Sequence, residues 1–163
     1  MGKLGFFKRL LGVGNEDEPL VVKRPDQPDM FQVAKDDDAM EIAMSSARET
    51  IETFIEALQS PGPNHNGFAV KKPFQDGDDV EHIWLVDVSY DGATFSGEVG
   101  NDPVTVTNVQ SGERAQVTAD ELSDWMYRDG AKLVGGYTVR VLYDKYSPKE
   151  KKRFVRQTGM EMD

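Results

Sequence analysis

Apolar residues recur at spacings of three and four through Met40, Ala43, Met44, Ala47, Ile51, Phe54, Ile55 and Leu58. That period lines them along one side of an α-helix, with Glu41, Arg48, Glu49 and Glu52 on the wet side. The acidic run Asp36-Asp37-Asp38 stands where carboxylates favour a helix start, and Ser60-Pro61-Gly62-Pro63 stops the pattern. One long N-terminal helix is therefore expected over residues 40–58. The period then changes to two. Phe68, Val70, Lys72 and Phe74 alternate as a first strand, and residues 80–90, with Ile83, Trp84, Leu85, Val86 and Val88, read as a central strand. Asp91-Gly92 is a hairpin signal that turns this strand into a partner over residues 93–99.

Short runs at 104–106 and 115–117 flank a turn at Ser111-Gly112. Thr118-Ala119-Asp120-Glu121 has capping-box spacing and predicts a short middle helix holding Leu122, Trp125 and Met126. Glycines 130, 135 and 136 bracket Leu133-Val134, and residues 137–143 read as a last strand. Ser147-Pro148-Lys149-Glu150 is a second capping box with proline at the first helical position. It predicts a basic C-terminal helix that runs to about Thr158 and stops at Gly159. The order of elements is α+β: a curled antiparallel sheet packed against one long N-terminal helix, with a short middle helix and a basic C-terminal helix.

Residues 1–14 follow a different pattern. Leu4, Phe6, Phe7, Leu10 and Leu11 gather on one side of a helical wheel, with Lys8 and Arg9 on the other. The segment is shorter than the ~12–15 residues at which isolated helices become marginal in water. It is expected to fold against an apolar surface and to act as a detachable basic amphipathic tail. Residues 15–37, with Pro19, Pro25 and Pro28, read as a linker whose Leu20-Val21-Val22 run could add an edge strand. The α+β domain is expected over residues 38–159.

Composition narrows the function. The chain has 163 residues, no cysteine and a net charge of −10. Disulfides, thiolate metal sites and a cysteine nucleophile are excluded. An acidic body repels phosphate backbones, so nucleic acid is not an expected partner. No run reaches the ~18 apolar residues of a membrane span, and a cytoplasmic location is expected, with the tail able to reach the inner membrane surface.

Neither a phosphate loop, nor a GxSxG elbow, nor a HExxH zinc motif occurs. The two histidines, His65 and His82, give little basis for a metal site, and neither metal nor cofactor is expected. Glu81-His82-Ile83-Trp84 puts an imidazole and an indole on one strand face, a pairing that suits acid–base chemistry or ligand stacking but also a half-buried strand. Asp124 is positioned to orient a base or to hold a turn. Gly135-Gly136-Tyr137-Thr138, with Arg140, could turn backbone N–H groups toward an anion. Asp76-Gly77-Asp78-Asp79 lacks the spacing of a calcium loop and reads as a hairpin turn.

Several ordered segments together resemble the bacterial YegJ-like family, a domain of unknown function numbered 2314. They are Ala47-Arg48-Glu49-Thr50 with Phe54, Glu81-His82-Ile83-Trp84, Phe95-Ser96-Gly97-Glu98 with Asn101 and Pro103, Ser123-Asp124-Trp125-Met126-Tyr127, and Gly135-Gly136-Tyr137-Thr138-Val139-Arg140. The resemblance implies a small soluble bacterial domain and brings no catalytic residues with it.

The leading expectation is a non-enzymatic binding or regulatory module. Trp84, Asn101, Trp125, Tyr137, Thr138 and Arg140 would contact a ligand or a protein partner. Leu4, Phe6, Phe7, Lys8, Arg9, Leu10 and Leu11 would dock reversibly on a partner or, peripherally, on a membrane. One alternative is an enzyme with a Glu81, His82 and Asp124 pocket. Another is an immunity-type protein, an acidic decoy that masks a toxin or effector.

Overall fold

Side-chain alternation along the strands divides the core in two. A computed structural model describes residues 30–162, with side chains from Asp37 onward. In chain order the elements are α1 (Met30–Glu49), α2 (Ile51–Gln59), β1 (His65–Asp76), β2 (Asp79–Tyr90), β3 (Thr94–Val99), β4 (Arg114–Thr118), β5 (Asp124–Asp129), β6 (Lys132–Gly135), α3 (Tyr137–Asp144) and α4 (Pro148–Thr158). The strands form one open six-stranded antiparallel sheet in the order β4-β3-β2-β1-β5-β6. Val70, Ile83, Leu85, Trp125 and Tyr127 face Ala47 of α1 and Ile51, Phe54 and Ile55 of α2. Ala69, Trp84, Val86 and Met126 point the other way and are covered by Val139 of α3 and Phe154 of α4. The α+β class expected from the order of elements is present, and the sheet carries helices on both faces.

Phe54 explains the curl of the sheet. Its ring lies 5.8 Å from Phe68 on β1, 5.8 Å from Phe95 on β3, 5.5 Å from Trp125 and 6.5 Å from Tyr127 on β5. In a flat sheet β3 and β5 would stand about 14 Å apart, so the strands must wrap toward one ring. The same curl lets the Lys72 ammonium on β1 donate to the Gln116 carbonyl on β4, three strands away. A bulge completes the concave face. Asp87 takes a left-handed φ of 52°, and the β2–β3 register shifts between Val86 and Ser89. The extra residue reverses the alternation, so Val88 and Tyr90 join the core beneath α2.

Three sequence expectations require correction. The long N-terminal helix is two helices, broken at Thr50 (φ −106°, ψ 12°). The Thr50 hydroxyl sits 2.7 Å from the Ser46 carbonyl, to which it donates, and 2.9 Å from the Tyr137 hydroxyl. This β-branched residue leaves the helical path while the apolar spacing continues across it. The middle helix does not form. Glu121 accepts from the Thr118 hydroxyl at 2.7 Å, but the Glu121 and Leu122 amides both go to the Thr118 carbonyl in a single turn. Ser123 N–H then donates to the Lys71 carbonyl, and the chain enters β5, where Trp125 and Met126 point to opposite faces.

Conversely, residues 137–143, read as a strand, form α3. The run at 104–106 lies outside the sheet. The C-terminal helix forms where expected, with both bonds of its Ser147–Glu150 capping box in place and Gly159 left-handed at its end. The amphipathic tail and the Leu20-Val21-Val22 run lie outside the described residues.

The two edges of the sheet differ. Beyond β6, the Leu133 amide donates to the Glu161 carbonyl and the Glu161 amide to the Ala131 carbonyl, so the C-terminal residues close that edge. Among the described residues no strand pairs with the outer side of β4.

Because Phe54 fills the point toward which the strands bend, Phe54→Ala is expected to cost about 3–5 kcal/mol of folding stability. Urea unfolding would show a lower midpoint. A loss below ~1 kcal/mol would mean that the sheet curls without this ring.

Candidate functional site

The start of α3 shows why residues 137–143 do not extend. Gly136, at the N-cap, has φ 64° and offers no side chain to the first amides of the helix. Asp124, at the head of β5, takes that role from another element. Its Oδ1 accepts from the Trp125 amide at 2.8 Å and the Tyr137 amide at 3.1 Å. Its Oδ2 accepts from the Thr138 amide at 2.8 Å and the Thr138 hydroxyl at 2.6 Å. A carboxylate at a helix N-terminus also meets the positive end of the dipole. Gly135 must be glycine, because a Cβ there would fall 2.5 Å from the Trp125 ring at a left-handed φ of 73°.

Lys71 on β1 completes a buried polar node. Its ammonium donates to the Thr138 hydroxyl oxygen at 2.8 Å and lies 4.9 Å over the Trp84 ring. Lys71, Asp124 and Thr138 are all buried. Burial pushes the Lys71 ammonium below its ordinary value against the pull of Asp124. Burial likewise pushes the Asp124 carboxyl up, against Lys71 and the bonds from Thr138 and Trp125.

His82 borders the node. Its Nδ1 lies 2.6 Å from the hydroxyl oxygen of buried Ser123, while the residue as a whole is exposed. Partial desolvation, and then the charge of Lys71, push the imidazole below its ordinary value, with Glu41 of α1 pulling the other way. Glu81 does not join the node. It shares its strand face with Ile83, and its carboxylate accepts the amides of Val104 (2.8 Å), Thr105 (2.6 Å) and Val106 (3.1 Å). Partial burial raises this carboxyl, but the three amides outweigh that and hold it below the usual range. The expected Glu81, His82 and Asp124 constellation is thus divided. His82 and Asp124 share a face through Ser123, and Glu81 ties down the loop at 104–106 on the other.

The expected ligand contacts are engaged within the fold. Trp125 Nε1 donates to the Ala47 carbonyl at 2.9 Å. Tyr137 meets Thr50, and Arg140 reaches back to the carbonyls of Gly135 (2.8 Å) and Leu133 (2.9 Å). The Gly136 amide goes to the Trp125 carbonyl, so it is not turned toward an anion. Trp84 and Asn101 are buried. Among the described residues no group of three histidine or carboxylate side chains is placed to hold a metal.

An accessible candidate that sequence reasoning did not single out lies along β4. An open groove of about 660 Å³ is lined by Lys72, Thr94, Ser96, Arg114, Gln116 and Glu121, among others. Ala115 and Val117 of β4 turn inward to the core, which leaves Arg114 and Gln116 exposed. Nothing in the local sequence distinguishes these residues from an ordinary strand. They line a groove because β4 ends the sheet and Lys72 comes across the concave face.

The fold and its buried node define a small α+β module, a curled antiparallel sheet with helices on both faces. The chain belongs to the DUF2314 family, described as an uncharacterized protein conserved in bacteria, whose profile matches residues 37–162. It is similar to the uncharacterized protein YegJ of Escherichia coli K12, 42% identical over 115 residues that cover 71% of this chain and 73% of that one. A putative ankyrin repeat protein of Neisseria meningitidis serogroup B is 37% identical over 86 residues, covering 50% of this chain and 34% of that protein. No solved structure matches the chain.

Two predictions follow from the node and its border. Asp124→Asn places an amide donor among N–H donors beside Lys71, and is expected to cost about 3 kcal/mol in urea unfolding; an unchanged midpoint would remove Asp124 from its capping role. For His82, the folded value lies below the unfolded one, so in the window beneath pH ~6.5 the unfolded chain binds the extra proton and stability falls as pH falls. His82→Gln should flatten the difference in stability between pH ~7.5 and ~5.5, and an identical slope in both proteins would refute the assignment.

Proposed function

We propose that the chain is a non-catalytic binding module that takes an extended segment of a protein partner along the outer edge of β4. The observation that carries this reading is the contrast between the edges of the sheet. The β6 edge is closed by the chain's own residues around Glu161, while β4 has no strand beyond it among the described residues and lies in an open groove. An edge strand presents unpaired N–H and C=O groups, and adding a strand satisfies them while pockets beside the edge read alternate side chains. Arg114 and Lys72 place two cations in the lining against one carboxylate, Glu121. A segment with acidic side chains fits that balance. Lys72, which holds the Gln116 carbonyl, can exchange that bond for a carboxylate on the incoming strand.

The state of the node argues against catalysis there. Asp124 accepts from donors on both oxygens, and Ser123 is buried against His82. These bonds hold Asp124 and Ser123 within the fold, and in this reading the node sets the sheet and α3 in place.

Selection of a random peptide library on the immobilised full chain tests the reading. Acidic extended sequences are expected to enrich, and Arg114→Glu should weaken their binding by at least about tenfold. Failure to enrich any sequence, or peptides indifferent to Arg114→Glu, would overturn it.

A further inference from the structure

The hydrogen bonds of β3 fix which way the main chain of β4 points. The Val99 amide donates to the Glu113 carbonyl and the Val99 carbonyl accepts the Gly112 amide, so this residue turns toward β4. One residue on, the Gly100 amide goes to the Trp84 carbonyl of β2, and at the other end of β3 the Thr94 carbonyl accepts the Asp91 amide. Main-chain direction alternates along a strand, so Phe95 and Gly97 also face β4, and their partners Val117 and Ala115 are the bonded residues there. Arg114, Gln116 and Thr118 therefore turn their amides and carbonyls to the free edge. The Thr118 carbonyl is taken by the Glu121 and Leu122 amides, and the Gln116 carbonyl receives Lys72. The two ends of this edge differ in charge. Arg114 is exposed at its start, and Glu121, held on the Thr118 hydroxyl at 2.7 Å, is exposed at its end.

We propose that the segment this edge takes is β4 of a second copy of the chain, paired antiparallel about a two-fold axis at Gln116. The inference rests on the reading of β4 as a partner-binding edge, and it names the partner. A two-fold pair sets a surface against itself, so it suits an edge that is basic at one end and acidic at the other. With Gln116 opposite Gln116 of the second copy, outward main-chain groups meet outward groups. Arg114 then falls opposite Thr118 of the second copy, beside its Glu121 carboxylate, and the same contact recurs across the axis. Centring the pair on Ala115 also matches outward groups, but it brings the two Arg114 side chains diagonally together. A carbonyl has two lone pairs, so Lys72 keeps its bond to Gln116 while the second copy donates to the other. The segment offered has the acidic balance that the groove favours, since residues 113–121 carry Glu113, Asp120 and Glu121 against Arg114. Each copy's net charge of −10 opposes encounter, and β4 is only 5 residues long, so the pair is weak and concentration-dependent.

Sedimentation velocity of the full chain from about 5 µM to about 500 µM tests the pairing, with monomer expected at the low end and dimer at the high end. Arg114→Glu and Glu121→Arg each put like charges at both ends of the pair, and each should weaken the dimer at least about tenfold. The two variants change the net charge in opposite directions, so a loss in both is not an effect of overall repulsion. An equimolar mixture of the two places opposite charges at both ends and should recover the dimer. If Glu121→Arg lowers the urea midpoint, Glu121→Gln keeps an acceptor for the Thr118 hydroxyl and should still weaken association. A chain that stays monomeric throughout, a dimer indifferent to Arg114→Glu, or folded variants whose mixture stays monomeric would overturn the pairing. A monomer that still binds acidic library peptides would remove the second copy as the occupant and leave β4 as an edge for another protein.

Discussion

The bond set of one carboxylate organises this domain. Asp124 begins β5, yet two of its hydrogen bonds go to the first amides of α3, and a third goes to the Thr138 hydroxyl that also receives Lys71 from β1. Burying an ionised carboxylate is costly unless it is paired and fully hydrogen-bonded. Here that requirement links β1, β5 and α3 into a single arrangement, because withdrawing any one of them leaves a buried charge or donor without its partner. The break in the N-terminal helix belongs to the same arrangement. Thr50 leaves the helical path where it meets Tyr137, and Arg48 donates to the Leu122 carbonyl just ahead of β5. Three of the segments that carry the family resemblance, at 47–50, 123–127 and 135–140, are thereby tied together.

What could be read from the sequence follows from which interactions are local. Ser147, Pro148, Glu150 and Gly159 specify both ends of α4 from within a dozen residues, and the helix forms where that chemistry places it. The Asp91-Gly92 turn is equally local: the Asp91 carboxylate accepts the Ala93 and Thr94 amides and sets up β3. The failures occurred where a distant group supplied the deciding bond. Tyr137, Thr138 and Val139 have the composition of a strand, but Asp124 caps them as a helix from thirteen and fourteen residues away. Thr118 and Glu121 have half of a capping box, and the Lys71 carbonyl draws the following Ser123 into the sheet.

The candidate site was legible only in part, for a related reason. Aromatic and ionisable residues in motif-like clusters drew attention to Trp84, Trp125, Asp124 and Arg140. Trp84, Trp125 and Asp124 are buried, and Trp125 and half-buried Arg140 donate to carbonyls of the chain itself. A polar side chain in the core needs an exact set of partners, which gives it a distinctive sequence neighbourhood. The groove residues Arg114, Gln116 and Ser96 need no such partners and carry no comparable signature. They come together because β4 is the last strand and the sheet curls far enough for Lys72 to reach it.

This division between interior and edge also bears on how the module can change its contacts. Substitution at the node disturbs several elements at once, because each bond there is shared. At the β4 edge or on the outer stripe of α4, a side chain can be replaced without unpairing a buried group. Arg114 and Gln116 project from a strand whose Ala115 and Val117 secure it to the core, and Lys149, Lys152 and Arg156 project from a helix secured by Phe154. Two polar surfaces of different chemistry are thus mounted on one rigid frame. The β4 edge and the outer side of α4 belong to separate elements, and β1 ties the two faces of the sheet together, with Lys71 and Lys72 pointing to opposite sides.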